Sequence, residues 1–227
     1  MQAAYPDDSG RGFWCLYMIE ISGLYVITDE TIRPGRTHEQ IARAAVDAGA
    51  NVVQLRDKTA TDRRFFEAAK YIREITRSAN IPFIVNDRID IALAVDADGI
   101  NIGEYDLPVA DARRILGAEK LIGASAGDLE TARQAAIDGA DHLGFGPIFD
   151  TATKEDAGAS VGLTMLRTLK AANILPIVAI GGINETNIEA VAAAGADAAA
   201  VISAIIREDD MGRAVRSLAE AFAKGRA

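Results

Sequence analysis

From residue 24 onward, short apolar runs alternate with longer stretches whose apolar residues recur at helical spacing. Eight short runs fall at 24–28, 52–56, 83–87, 99–103, 121–125, 142–149, 177–182 and 198–203. Most stay apolar over several residues without strict alternation, the pattern of strands covered on both faces. Between them, residues 38–48, 61–78, 108–116, 128–138, 162–172, 184–194 and 209–223 are rich in Ala, Leu, Glu, Lys and Arg and are predicted as helices, with a shorter one at 88–95.

The punctuation repeats as well. Ala48-Gly49-Ala50, Asp138-Gly139-Ala140 and Ala194-Gly195-Ala196 each place glycine where a helix commonly stops in the left-handed conformation, and the next apolar run follows within a few residues. Eight strand-helix units in one chain predict a parallel sheet and an α/β fold, a single (β/α)8 TIM barrel. The barrel is expected over 24–227, after a short N-terminal extension at 1–23. A length of 227 residues suits one such domain and would cramp two.

Composition narrows the class of ligand. The formal net charge of −9 argues against a general affinity for nucleic acid or anionic lipid, because repulsion from phosphates acts over the whole surface. A small phosphorylated ligand stays compatible, since it feels only the local field of its pocket. Cys15 is the single cysteine, so no internal disulfide forms and the chain reads as cytoplasmic. Residues 1–23 carry Asp7 and Asp8, no basic start and only a short apolar run at 13–19, which predicts neither a signal peptide nor a membrane span. Nothing decides the oligomeric state, and a homo-oligomer stays open.

β/α barrels gather their functional groups at the carboxyl ends of the strands. Here those ends carry Thr28, Gln54-Leu55-Arg56-Asp57-Lys58, Asn86-Asp87-Arg88, Gly103-Glu104-Tyr105-Asp106, Ser125, Gly146-Pro147, Gly181-Gly182 and Ser203. Neighbouring strands lie about 4.8 Å apart, so Arg56, Lys58, Asn86, Asp87 and Asp106 can converge. Two carboxylates beside two cations suit a magnesium ion and the polyanion it bridges. Taken alone, Asn86-Asp87-Arg88 reads sooner as a helix cap, or as Asp87 paired with Arg56. The coincidence with Asp106 and Arg56 reverses that preference.

A second anion site is expected after strands seven and eight. Gly181-Gly182 leads into a helix, Ile202-Ser203 closes the last strand, and backbone N–H groups there can meet a phosphate. Between the two sites, the loop after strand six offers Thr151 and Thr153 hydroxyls, the mobile charge of Lys154, and Gly158 for lid movement; the same composition suits a solvated surface loop equally well. Two anion sites at one mouth fit two phosphorylated substrates. No Ser-His-Asp motif and no Cys/His cluster for zinc is seen; His38 reads as a helix-start residue, and His142 as the start of a strand, far from the mouth.

These motifs resemble, in order and spacing, the thiamine phosphate synthase family over about 24–205. The pieces that carry the resemblance are Tyr25-Val26-Ile27-Thr28, Gln54 to Lys58, Asn86-Asp87-Arg88, Gly103-Glu104-Tyr105-Asp106-Leu107-Pro108, Gly146-Pro147, Thr151-Ala152-Thr153-Lys154, Ala179-Ile180-Gly181-Gly182-Ile183 and Val201-Ile202-Ser203-Ala204-Ile205. The resemblance implies a transferase that condenses 4-amino-2-methyl-5-hydroxymethylpyrimidine diphosphate with a (carboxy)thiazole phosphate and releases diphosphate. It implies pyrimidine diphosphate contacts from Gln54, Leu55, Arg56, Asp57, Lys58, Asn86, Ser125 and Lys154, with Arg56, Lys58, Lys154 and Ser125 catalytic. It implies Mg2+ at Asp87 and Asp106, and thiazole phosphate contacts from Thr151, Ala152, Thr153, Gly182, Ile202 and Ser203. The chain departs from the family pattern at Asn101, at Glu104 and at Ala126-Gly127-Asp128. A thiazole tautomerase-like barrel enzyme and a non-catalytic phospholigand sensor are the alternative readings.

Overall fold

Eight parallel strands close into one barrel in the computed structural model, which describes residues 20–151, 153 and 158–227. The strands are β1 (Gly23–Thr28), β2 (Val52–Leu55), β3 (Phe83–Asn86), β4 (Gly99–Ile102), β5 (Leu121–Ala126), β6 (His142–Phe145), β7 (Ile177–Ile180) and β8 (Ala198–Val201). Each pairs with its neighbours in chain order, and β8 returns to β1, where Ala200 lies opposite Tyr25. Between them lie α1 (His38–Asp47), α2 (Asp62–Ala79), α3 (Ile89–Ala94), α4 (Val109–Leu116), α5 (Leu129–Ile137), α6 (Gly162–Ala172) and α7 (Ile188–Ala193). After β8 come α8 (Ser203–Ile206) and α9 (Met211–Arg226), the latter packed against α1 and α7. Cys15, most of the expected extension, and Ala152 and Lys154 lie outside the described residues.

The absence of alternation in the apolar runs has a direct structural meaning. Outward positions such as Leu24, Val26, Val53, Leu55, Val85, Ile100, Leu143 and Phe145 are buried under the helices. Inward positions Tyr25, Ile27, Val52, Ile84, Val178, Ala198 and Ala200 form a second cluster inside the barrel, joined by Ile21. Both faces of the strand therefore leave water, as a parallel sheet between two layers requires. The helices start where the sequence offers caps: the side chains of Thr37, Thr61, Asp128 and Asp210 each accept a first-turn N–H. Gly49, Gly139 and Gly195 all take positive φ just past the ends of their helices.

Two boundaries differ most from the sequence expectation. The run at 142–149 is a strand only to Phe145, because the chain turns at Gly146-Pro147 and lays Ile148 and Phe149 across the end of β7, bonding the carbonyls of Ile180 and Gly181. The helix expected from 184 starts at Ile188. Asn184 accepts from Thr186, and both Asn184 and Asn187 donate to the Gly182 carbonyl, so a side-chain-bonded turn replaces the first helical turn. The four-residue helix α8 was not expected.

Candidate active site

At the carboxyl ends of β2 to β4 the fold brings Lys58, Asp87 and Asp106 together. Asp87 follows the last residue of β3 with φ 62°, a left-handed conformation that Asp tolerates better than most residues. Its backbone N–H bonds the carbonyl of Asn101, which ties it to β4. It does not cap α3: Arg88 occupies the cap position, and its side chain makes no cap hydrogen bond. The Asp87 carboxylate is free instead to meet the Lys58 ammonium, with which it forms an ion pair, and the Asp106 carboxyl. Asp106 is held in turn by the Gly103 N–H at 2.9 Å.

The electrostatics of Asp87 follow from this crowding. Burial raises its pKa, the neighbouring Asp106 carboxyl raises it further, and Lys58 only partly opposes them. Two adjacent carboxylates offering hard oxygen donors, with the exposed Lys58 against Asp87, fit a dication such as magnesium.

The other expected residues take distinct places. Gln54, buried in β2, donates to Asn86 Oδ1 at 2.7 Å, so the two amides form one unit at the barrel's inner edge. Ser125 is exposed within β5 although its neighbours Ala124 and Ala126 are buried, so it faces the open mouth. Leu55 is wholly buried beneath the helices, which leaves its backbone as the part a ligand could meet. Arg88 turns outward to Asp90 and Asp62 and over the Phe65 ring.

Arg56 does not pair with Asp87. It bonds Asp29 Oδ2 at 3.2 Å, and Asp29, buried just past β1, also accepts from the Thr31 N–H and hydroxyl. Sequence reasoning missed Asp29, although its position beside the strand-ending Thr28 was a signal. Asp57 has a structural set of partners: Oδ1 accepts from Thr59 and Ala60 N–H, and Oδ2 meets His38 Nε2 at 3.0 Å. Burial works against that carboxylate, but His38 and the loop donors outweigh it and hold its pKa near about 2.

His38 opens α1 as expected, and its ring is buried between Asp57 and the Thr28 hydroxyl, which lies 2.8 Å from Nδ1. With Glu30 it makes a second group, Glu30, His38 and Asp57, whose ligand atoms lie within 4.8 Å of one another. This cluster is already compensated. Arg64 bonds Glu30 at 2.7 Å, Glu30 accepts the His38 N–H, and Asp57 is saturated by its loop. The Asp87–Asp106 pair offers hard oxygen donors with no histidine among them.

Across the mouth, Gly181 and Gly182 both have positive φ. A Cβ on Gly182 would lie 2.7 Å from the Asp150 carbonyl oxygen and from Phe149 Cβ, so glycine is what lets the loop after β6 rest on the loop after β7. Among the described residues, no acceptor engages the Gly182 N–H. Thr151 and Thr153 border the same place, the Thr153 N–H bonding the Thr151 hydroxyl at 3.2 Å. Ile202 and Ser203 lead into α8, whose first N–H groups have no acceptor within the helix.

Among the described residues, no helix is long and apolar enough to cross a membrane. The family model described as thiamine monophosphate synthase matches residues 24–205. A thiamine-phosphate synthase from Chloroflexus aurantiacus is 52% identical over 195 residues, covering 86% of this chain and 90% of its own. One from Methanoculleus marisnigri is 52% identical over 204 residues, covering 90% and 97%. A thiamine phosphate pyrophosphorylase structure from Pyrococcus furiosus superposes with a TM-score of 0.83 at 39% identity, covering 90% of this chain and 97% of that one.

Proposed function

The chain belongs to the thiamine monophosphate synthase family, a transferase family of thiamine biosynthesis, and on that premise we propose a division of labour within its mouth. The β2–β4 side takes 4-amino-2-methyl-5-hydroxymethylpyrimidine diphosphate, and the β6–β8 side takes the thiazole phosphate. The observation that carries this reading is the juxtaposition of Asp87 and Asp106, with Lys58 as the cation paired to Asp87, at the open end of the barrel.

Arg56, Lys58 and Lys154 bind the diphosphate, while Gln54, Asn86 and Ser125 orient the pyrimidine through hydrogen bonds; Leu55 and Asp57 contribute backbone and loop shape. Magnesium held by Asp87 and Asp106 would supply positive charge against the diphosphate as it leaves. The bond between the pyrimidine methylene and the diphosphate oxygen breaks with its electron pair going to oxygen, and the thiazole nitrogen then donates its lone pair to the methylene carbon. No nucleophilic side chain enters. The residues act by positioning and by meeting charge where it develops. Thr151, Ala152, Thr153, Gly182, Ile202 and Ser203 hold the thiazole phosphate, with backbone N–H groups as donors.

We read residues 24–227 as the catalytic domain, with Ile21 and Gly23 of the expected 1–23 extension joined to the barrel, and the enzyme as cytoplasmic. The deciding experiment incubates the purified chain with both heterocyclic substrates and Mg2+ and measures thiamine phosphate and diphosphate. Equal amounts of the two products support the proposal. Binding of either substrate without joint turnover defeats it.

A further inference from the structure

The inner wall of the barrel is divided. Apolar side chains of β1, β2, β3, β7 and β8 fill one side, whereas Gly99, Asn101, Gly123, Ser125, His142 and Gly144 lie on β4 to β6. One row of the sheet crosses this polar part: Asn86 pairs with Asn101, Asn101 with Gly123, and Gly123 with His142. The row starts at the last residue of β3 and ends at the first of β6, so it descends from the mouth into the barrel. His142 thus shares a row of the sheet with Asn86, the last residue of β3.

Gly123 shows what the row is for. A Cβ there would collide with His142 Nε2 and stand 2.8 Å from Asn101 Oδ1, so the imidazole leans over the glycine and shares one small space with the Asn101 amide. His142 is 1% exposed, and neither ring nitrogen has a hydrogen-bond partner among the described residues. Burial lowers its pKa to about 4, outweighing the Asp141 carboxylate, so near neutral pH the ring carries one donor and one acceptor. Leaving both unmade is costly, and buried waters in proteins commonly complete such groups. Nε2 and Oδ1 both border the space over Gly123, and a water bridging them would complete both groups. At Gly144 the wall is open: a Cβ there would meet nothing nearer than Asn101 Oδ1 at 3.6 Å. The half-buried Asn101 side chain therefore reaches from His142 toward the space beneath the exposed Ser125.

We propose that His142 is a positioning residue for the pyrimidine substrate, fixing the Asn101 amide at the floor of the mouth through a water on its Nε2. This rests on the reading above that the pyrimidine lies against Asn86 and Ser125. A fixed amide presents a donor and an acceptor to the heterocycle's own donors and acceptors, whereas a freely rotating one must be ordered on binding.

Steady-state kinetics on the full chain with Mg2+ and both substrates test it. His142→Phe removes both nitrogens and keeps a ring. It is expected to raise KM for the pyrimidine diphosphate about tenfold, to leave KM for the thiazole phosphate unchanged, and to keep or raise the melting temperature. His142→Gln, which still donates and accepts, is expected to return that KM to within about threefold of the unaltered enzyme. Asn101→Ala should match His142→Phe, and the double variant should add nothing further. An unmoved pyrimidine KM in His142→Phe, an equal rise in both KM values, or additive effects would overturn the proposal. If His142→Phe does not fold, Asn101→Ala decides: an unmoved pyrimidine KM overturns it. Failure of the unaltered chain to make thiamine phosphate would sink both readings, whereas an active chain indifferent to His142→Phe sinks this one alone.

Discussion

Asp57 and Asp87 sit just beyond the carboxyl ends of adjacent strands, and their surroundings push them in opposite directions. Asp57 is surrounded by donors from its own loop and by His38, and its pKa is held near about 2. Asp87 is partly buried, faces a second carboxyl and has one exposed lysine against it, and its pKa is raised. The first carboxylate is finished business for the fold. The second is only partly compensated by the described neighbours, as the cation and polyanion we propose there require. Proximity to the mouth does not separate them, but completeness of compensation does.

The largest expected effect tests the functional half of this contrast. Asp87→Asn should lower turnover by about 10²–10³-fold while leaving the melting temperature unchanged or higher, since it relieves repulsion with Asp106. Near-normal turnover in that variant would erase the distinction. Next in size, Mg2+ at about a hundred times its dissociation constant should stabilise the unaltered chain by roughly 2.7 kcal/mol and should not stabilise Asp87→Asn, measured by thermal unfolding. A shift of the same size in both would move the metal elsewhere, with the Glu30–His38–Asp57 group as the first place to look.

The structural half predicts the reverse profile. Asp57→Asn should cost about 1–3 kcal/mol of stability by chemical denaturation, because loop donors and His38 lose their charged acceptor, with turnover kept within about tenfold. A stable but inactive Asp57→Asn would place Asp57 in the chemistry. The smallest effect concerns acid. With a folded pKa of about 2 against an ordinary 3.8, Asp57 contributes stability that is fully present above about pH 4 and is lost as the pH falls toward 2. The stability gap between the unaltered chain and Asp57→Asn, followed by denaturation at stepped pH, should therefore narrow over that window and stay constant above it.

Most of the architecture was legible in the chain. Apolar runs located all eight strands, and glycines 49, 139 and 195 marked three helix ends, because these signals act over a few residues. The misjudged places were those where side chains compete with the backbone. Asn184, Thr186 and Asn187 build their own turn, and Gly146-Pro147 ends a run whose apolar composition continues to Phe149. The convergence of Lys58, Asp87 and Asp106 could be anticipated from strand-end chemistry. The Arg56–Asp29 pair could not, because Asp29 and Asp87 both stand at strand ends and only the fold chooses which of them meets Arg56.

Residue pattern alone therefore determined how many strands there are, where they lie, and which polar groups stand at their ends, since period and sterics are settled among near neighbours. Only closure of the barrel decided how each charge is answered. Arg56 and Asp29 are 27 positions apart in the chain, and Lys58 and Asp87 are 29 apart. The field at a carboxylate depends on whatever the fold packs beside it, and that is a property of the assembled molecule.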